Sequence, residues 1–154
     1  MKLTEHFETF LTDIVNLNQT RIDVLETRVD AIEEFLSNSD FHPRIWRYSR
    51  QGSWAVQTII RPPNGNDFDA DLLVIIEPVD GWEPEKYIEE LYRVFRASDR
   101  YKPLVGYGTR CVTLDYANDF HLDLVICIRV KNGDDVSFLV CNRNTNTFEP
   151  TDGE

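Results

Sequence analysis

Apolar residues recur along this chain with two different periods. Over residues 1–38 they fall at Leu3, Phe7, Phe10, Leu11, Ile14 and Val15, then at Ile22, Leu25, Val29, Ile32, Phe35 and Leu36. Steps of three and four keep these side chains on one stripe, which predicts a long N-terminal helix covering a core. A partner-binding coiled coil is the other reading of the stripe. The segment "NLNQT" at 16–20 marks a kink or a break, with Asn18 or Thr20 as a fresh N-cap. A second helix is predicted over 84–98, with Pro84 in its first turn and Ile88, Leu91, Tyr92 and Phe95 on one face.

Elsewhere the period shortens to two, the repeat of a strand. "RIWRYSR" at 44–50, Asp69–Ile76, "TRCVTLDY" at 109–116, "FHLDLVICIRV" at 120–130 and "VSFLVC" at 136–141 all read as strands. "PNGND" at 63–67 is a turn cluster, and Asn132-Gly133 between two alternating runs predicts a hairpin. Pro150 is expected to break the last strand. Thr151, followed three residues later by Glu154, has the form of a capping box and so the start of a helix. The order α–β–β–α–β–β–β predicts an α/β (α+β) lobe: a mixed sheet with both helices on one face.

Composition narrows the class. A chain of 154 residues, 42% hydrophobic and 28% charged, suits one folded domain. A net charge of −11 argues against duplex nucleic acid as a partner, since that binding needs Lys and Arg to displace counterions. No apolar run is long enough to span a membrane, and the amphipathic N-terminus lacks the h-region of a secretory signal. The three cysteines, Cys111, Cys127 and Cys141, are odd in number and lack metal-ligand spacing. They are expected to be buried, reduced thiols of a cytoplasmic protein.

The strand at 69–76 carries an anomaly at its mouth. From Ala70, the even positions Ala70, Leu72, Val74 and Ile76 are apolar, whereas the odd positions begin with Asp67, Asp69 and Asp71 before turning apolar at Leu73 and Ile75. The later strand repeats the split, with Phe120, Leu122, Leu124, Ile126 and Ile128 on one face and His121, Asp123, Val125, Cys127 and Arg129 on the other. Carboxylates held close together repel unless a cation compensates. Magnesium fits, because it takes oxygen ligands and is commonly held by one or two carboxylates plus substrate phosphates. Two such ions about 3.5–4 Å apart would suit in-line phosphoryl transfer. A solvated strand end, with Asp123 in a salt bridge, is the alternative.

The pair Gly52-Ser53 precedes these aspartates, at what reads as the start of a short helix, "SWAVQT". Gly52 lets the backbone approach an anion, and a helix N-terminus favours phosphate. Gly-Ser alone is commonplace. Upstream of an Asp-x-Asp strand, with a third Asp on a later strand, it is far more specific.

Taken jointly, "GS…DFDADLLV…HLDLVI" resembles the signature of polymerase-β-type nucleotidyltransferases. More narrowly, "QGSWAVQTIIRP", "DFDADLLV" and "RCVTLDYANDFHLDLVI" are similar to the bacterial CD-NTases, relatives of animal cyclic-GMP-AMP synthase and oligoadenylate synthase that act in anti-phage defence. The resemblance runs from roughly Tyr48 to Pro150. It implies that Asp69 and Asp71 hold two magnesium ions, for which manganese can substitute. It implies that Asp123 is the third ligand and orients or deprotonates the attacking ribose hydroxyl. Gly52 and Ser53 would hold the β- and γ-phosphates of a nucleoside triphosphate. The implied products are cyclic di- or trinucleotides, with pyrophosphate released. Asp67 lies outside the matching pair, and His121 lines the cleft either as a bystander or with a direct role. The chain departs from the family at Val56 and Gln57, where small residues are expected after Gly-Ser, and lacks a proline after the third-aspartate strand.

Two further readings remain at this point: a toxin-type nucleotidyltransferase acting on tRNA or protein, and a non-catalytic nucleotide-binding lobe. The family normally carries a second, helical lobe that these residues do not include. The resemblance therefore implies a catalytic lobe with little turnover alone, exposing apolar side chains that favour self-association.

Overall fold

In a computed structural model, residues 23–50, 68–116 and 120–151 are described. The predicted cap at Asn18 or Thr20 and the turn at 63–67 lie outside them. The elements are a helix over 23–37 (α1), β1 (Ile45–Arg50), β2 (Phe68–Ile76), α2 (Pro84–Arg96), β3 (Val105–Tyr107), β4 (Cys111–Tyr116), β5 (Phe120–Asn132), β6 (Asp135–Asn142) and β7 (Thr147–Thr151).

All seven strands form one mixed sheet in the order β1-β2-β5-β4-β3, with β6 on β5 and β7 on β6. β2 and β5 run parallel, from Phe68↔Phe120 to Ile76↔Ile128, and every other pair is antiparallel. The long β5 divides its second edge: residues 120–125 pair with β4 and 127–132 with β6.

Both helices cover the even face of this sheet, as the alternation predicts. Leu25, Val29, Ile32 and Leu36 of α1 are buried with Ile88, Leu91, Val94 and Phe95 of α2 against Leu72, Val74, Leu122, Leu124 and Ile126. Phe35 meets Phe95 and Tyr101 at ring-centroid distances of 5.2 and 4.9 Å, joining the two helices. Arg50, at the end of β1, reaches Glu26, Asp30 and Glu33 of α1 at 3.0, 3.1 and 3.4 Å. Pro84 opens α2 at a position that needs no intrahelical donor, and Arg93 and Arg96 sit in the last turn, where cations favour the helix dipole.

Two local expectations are corrected. Pro150 does not end a strand but lies within β7, opposite Leu139. Among the described strands β7 pairs only with β6, so the missing proline N–H removes no ladder bond that a further strand would need. Thr151 closes β7 rather than opening a helix. The hairpin expected at Asn132-Gly133 forms, turning on Gly133 and Asp134 inside the Asn132↔Asp135 pair, and Gly133 takes φ 66°. A left-handed glycine at the first central position relieves the Cβ clash that a side chain would meet there.

Candidate functional site

The odd face of the sheet carries no helix among the described elements. Its chemistry is set by register. Asp71 of β2 is the direct partner of Asp123 on β5, and Asp123 is the direct partner of Thr113 on β4. Register partners share a face, and neighbouring strands lie about 4.8 Å apart, so the two carboxylates stand side by side. All three residues are half-buried. Thr113 donates its hydroxyl to Asp123 Oδ1 at 2.8 Å, and Cys111 Sγ lies 3.7 Å from Thr113 Oγ1.

The next row toward the strand mouth pairs Asp69 with His121 and His121 with Asp115. His121 Nδ1 lies 3.1 Å from Asp115 Oδ1. Asp69 is placed by its backbone alone, because its side chain is outside the described residues. In the opposite direction the face turns apolar: Leu73, Ile75 and Cys127 are buried, with Val125 and Phe138 packed against them. Beyond lie cations, with Arg47 and Arg129 over the Trp46 ring at 4.9 and 4.5 Å and Arg129 3.6 Å from Glu77.

Thus the structure brings together Asp71 and Asp123 and sets Asp69 in the adjoining register. Gly52, Ser53 and Asp67 lie outside the described residues. Three residues went unnoticed in the sequence as site members: Thr113, Asp115 and Cys111. Their own alternation in "CVTLDY" was visible, but the strand beside which it would lie was not. Cys111 is half-buried rather than buried as expected, whereas Cys127 and Cys141 are buried. Burial above all pushes the Cys111 thiol up, opposed by the Thr113 hydrogen bond and assisted by the charges of Asp123 and Asp71. It is a neutral thiol at the edge of the acidic row.

The described residues form no group of three potential metal ligands. The donor set nonetheless suits magnesium: two hard carboxylates on adjacent strands, on an open face able to admit a phosphate-bearing ligand.

Comparison with known proteins bears on the family and the fold. The family description "Second Messenger Oligonucleotide or Dinucleotide Synthetase domain" matches residues 1–154. A c-di-GMP synthase of Roseivirga ehrenbergii is 29% identical over 118 residues, covering 75% of this chain and 31% of that protein. The chain therefore spans about a third of the length of that curated relative. Among solved structures, the Bradyrhizobium diazoefficiens CD-NTase CdnG in complex with GTP superposes with a TM-score of 0.67 at 23% identity, covering 88% of this chain and 39% of that one. The Rhodothermus marinus CdnE c-UMP-AMP synthase with Apcpp and Upnpp gives a TM-score of 0.62 at 15% identity, covering 83% and 51%. At these identities the likeness is one of fold: the expected nucleotidyltransferase lobe, a mixed sheet with two helices.

Proposed function

Because this chain belongs to the family of Second Messenger Oligonucleotide or Dinucleotide Synthetase domains, we propose that its odd sheet face binds a nucleoside triphosphate with magnesium and that the protein makes a cyclic di- or trinucleotide. The observation that carries this reading is the Asp71↔Asp123 pairing on parallel strands, which juxtaposes carboxylates fifty-two residues apart. Asp71 and Asp123 hold the cation, with Asp69 as the third carboxylate. When bound, magnesium or manganese supplies Lewis acidity and neutralises phosphate charge.

The chain's own residues do the rest. Asp123 lies at the centre of the row and accepts a hydrogen bond from an attacking ribose hydroxyl, orienting it or taking its proton. That hydroxyl attacks the α-phosphate, and pyrophosphate leaves. Gly52 and Ser53 bind the β- and γ-phosphates, through backbone N–H groups and the serine hydroxyl. The half-buried setting of Asp123 keeps bulk water partly away, which strengthens each charge interaction. The product serves as a second messenger, in keeping with an anti-phage role.

The test is incubation with labelled nucleoside triphosphates and magnesium, starting with GTP because the Roseivirga relative is a c-di-GMP synthase. Products are then treated with phosphatase and separated by chromatography. A cyclic product lacks the terminal phosphates that phosphatase removes, so slow turnover suffices. The reading predicts a resistant product that disappears in Asp71→Asn. Label transferred to protein or tRNA would replace it with the toxin-type activity. Nucleotides left intact by a chain that binds them tightly would make these residues a non-catalytic lobe.

A further inference from the structure

Asp123 does not stand alone in its row. Its Oδ1 accepts the hydroxyl of Thr113 at 2.8 Å, from the strand on the side opposite Asp71. An ionised carboxylate only accepts hydrogen bonds, so the single Thr113 proton is committed to it. The Thr113 oxygen then has lone pairs free to accept from the Cys111 thiol, whose sulfur lies 3.7 Å away. A β-branched side chain has restricted rotation about χ1, so the hydroxyl is fixed by the strand that carries it. One carboxylate oxygen is therefore occupied from the β4 side, and the other is left for the side on which Asp71 stands.

We infer that Thr113 is a positioning residue for the metal–nucleotide site: it holds the Asp123 carboxylate in the rotamer that presents Oδ2 toward Asp71. This rests on the proposed cation site and adds to it a residue that touches neither cation nor nucleotide. Residues that hold a metal-ligating side chain typically matter about 10–100-fold for metal affinity. The threonine methyl has no part in this, so only the hydroxyl should count.

The experiment is manganese binding to the 154-residue chain, read by the spin-resonance signal of free Mn²⁺, with a non-hydrolysable GTP analogue present. The parent is compared with Thr113→Val, Thr113→Ser, Asp123→Asn and the Thr113→Val/Asp123→Asn double variant, each checked for a cooperative thermal transition. Thr113→Val should weaken manganese binding about 10–100-fold. Thr113→Ser should remain within about threefold of the parent, because it keeps the donor. In the Asp123→Asn background, Thr113→Val should add nothing further.

A merely structural threonine would lower the melting temperature without this selectivity. Parent-like binding by folded Thr113→Val would overturn the inference, as would Thr113→Ser binding as weakly as Thr113→Val. If Thr113→Val fails to fold, the serine variant and the Asp123→Asn background still decide: a serine variant bound tenfold more weakly, or one that weakens the Asp123→Asn protein further, overturns the inference. Binding unchanged in Asp123→Asn itself would remove the cation site beneath it. Loss in Asp123→Asn with none in Thr113→Val would remove the Thr113 role alone.

Discussion

The two faces of β5 are made by one peptide segment and could hardly differ more. Phe120, Leu122, Leu124, Ile126 and Ile128 are buried beneath two helices. Between them, His121, Asp123 and Val125 remain half-exposed, and only Cys127 is fully covered. A slip of one residue would exchange the faces and drive Asp123 into the core. The packed face thus fixes the register, and the register places the chemistry. The covered face supplies the stability that holds the acidic row in register.

The largest effect should come from the covered face. Leu124 is fully buried at the centre of the sheet. Leu124→Ala should destabilise the chain by about 2–5 kcal/mol in urea unfolding, as cavity-forming substitutions do. Below the unfolding transition its metal–nucleotide affinity should stay close to the parent's. A selective loss of affinity in the folded state would mean that the two faces are not separable.

Alkaline unfolding compares the faces through their thiols. Burial raises Cys141, on the helix-covered face, to about 12, and Cys127, on the other face, to about 11. Both lie above the ordinary thiol value near 9. A folded-state pKa above the unfolded one gives stability that is whole below pH 9 and lost as pH rises toward the folded value. Stability should therefore fall between about pH 9 and pH 12. The fall should level off near pH 11 in Cys141→Ala, where Cys127 remains, and run on toward pH 12 in Cys127→Ala, where Cys141 remains. A fall that ends at the same pH in both variants would deny that the covered face is the drier one.

The smallest effect concerns the acidic row without metal. Asp71→Asn/Asp123→Asn removes two neighbouring charges and should leave thermal stability unchanged or raise it slightly in chelator. A clear loss of stability in chelator would show that these carboxylates serve the fold.

The described part of α1, α2, the main strands and the side on which they pack follow from periodicity alone, because burial repeats at 3.6 and 2.0. β3 did not, since "VGY" is too short to show alternation. β7 did not, since "TFEPT" offers a proline and polar positions and gains its place only through pairing with β6. In the site, the split of each strand into an apolar and an acidic face was legible at Asp69, Asp71 and Asp123. Thr113 was not, because its role depends on the antiparallel register of β4 with β5. Partnership between strands is a long-range property that no local period encodes.

The central claim is that the Asp71–Asp123 row binds metal and nucleotide together. Calorimetric titration of a non-hydrolysable GTP analogue into the parent chain and Asp123→Asn, each with magnesium and with chelator, tests it most directly. The account predicts binding by the parent only with magnesium, weakened tenfold or more in Asp123→Asn. Equal affinity in the two proteins, or parent binding that ignores magnesium, would contradict it.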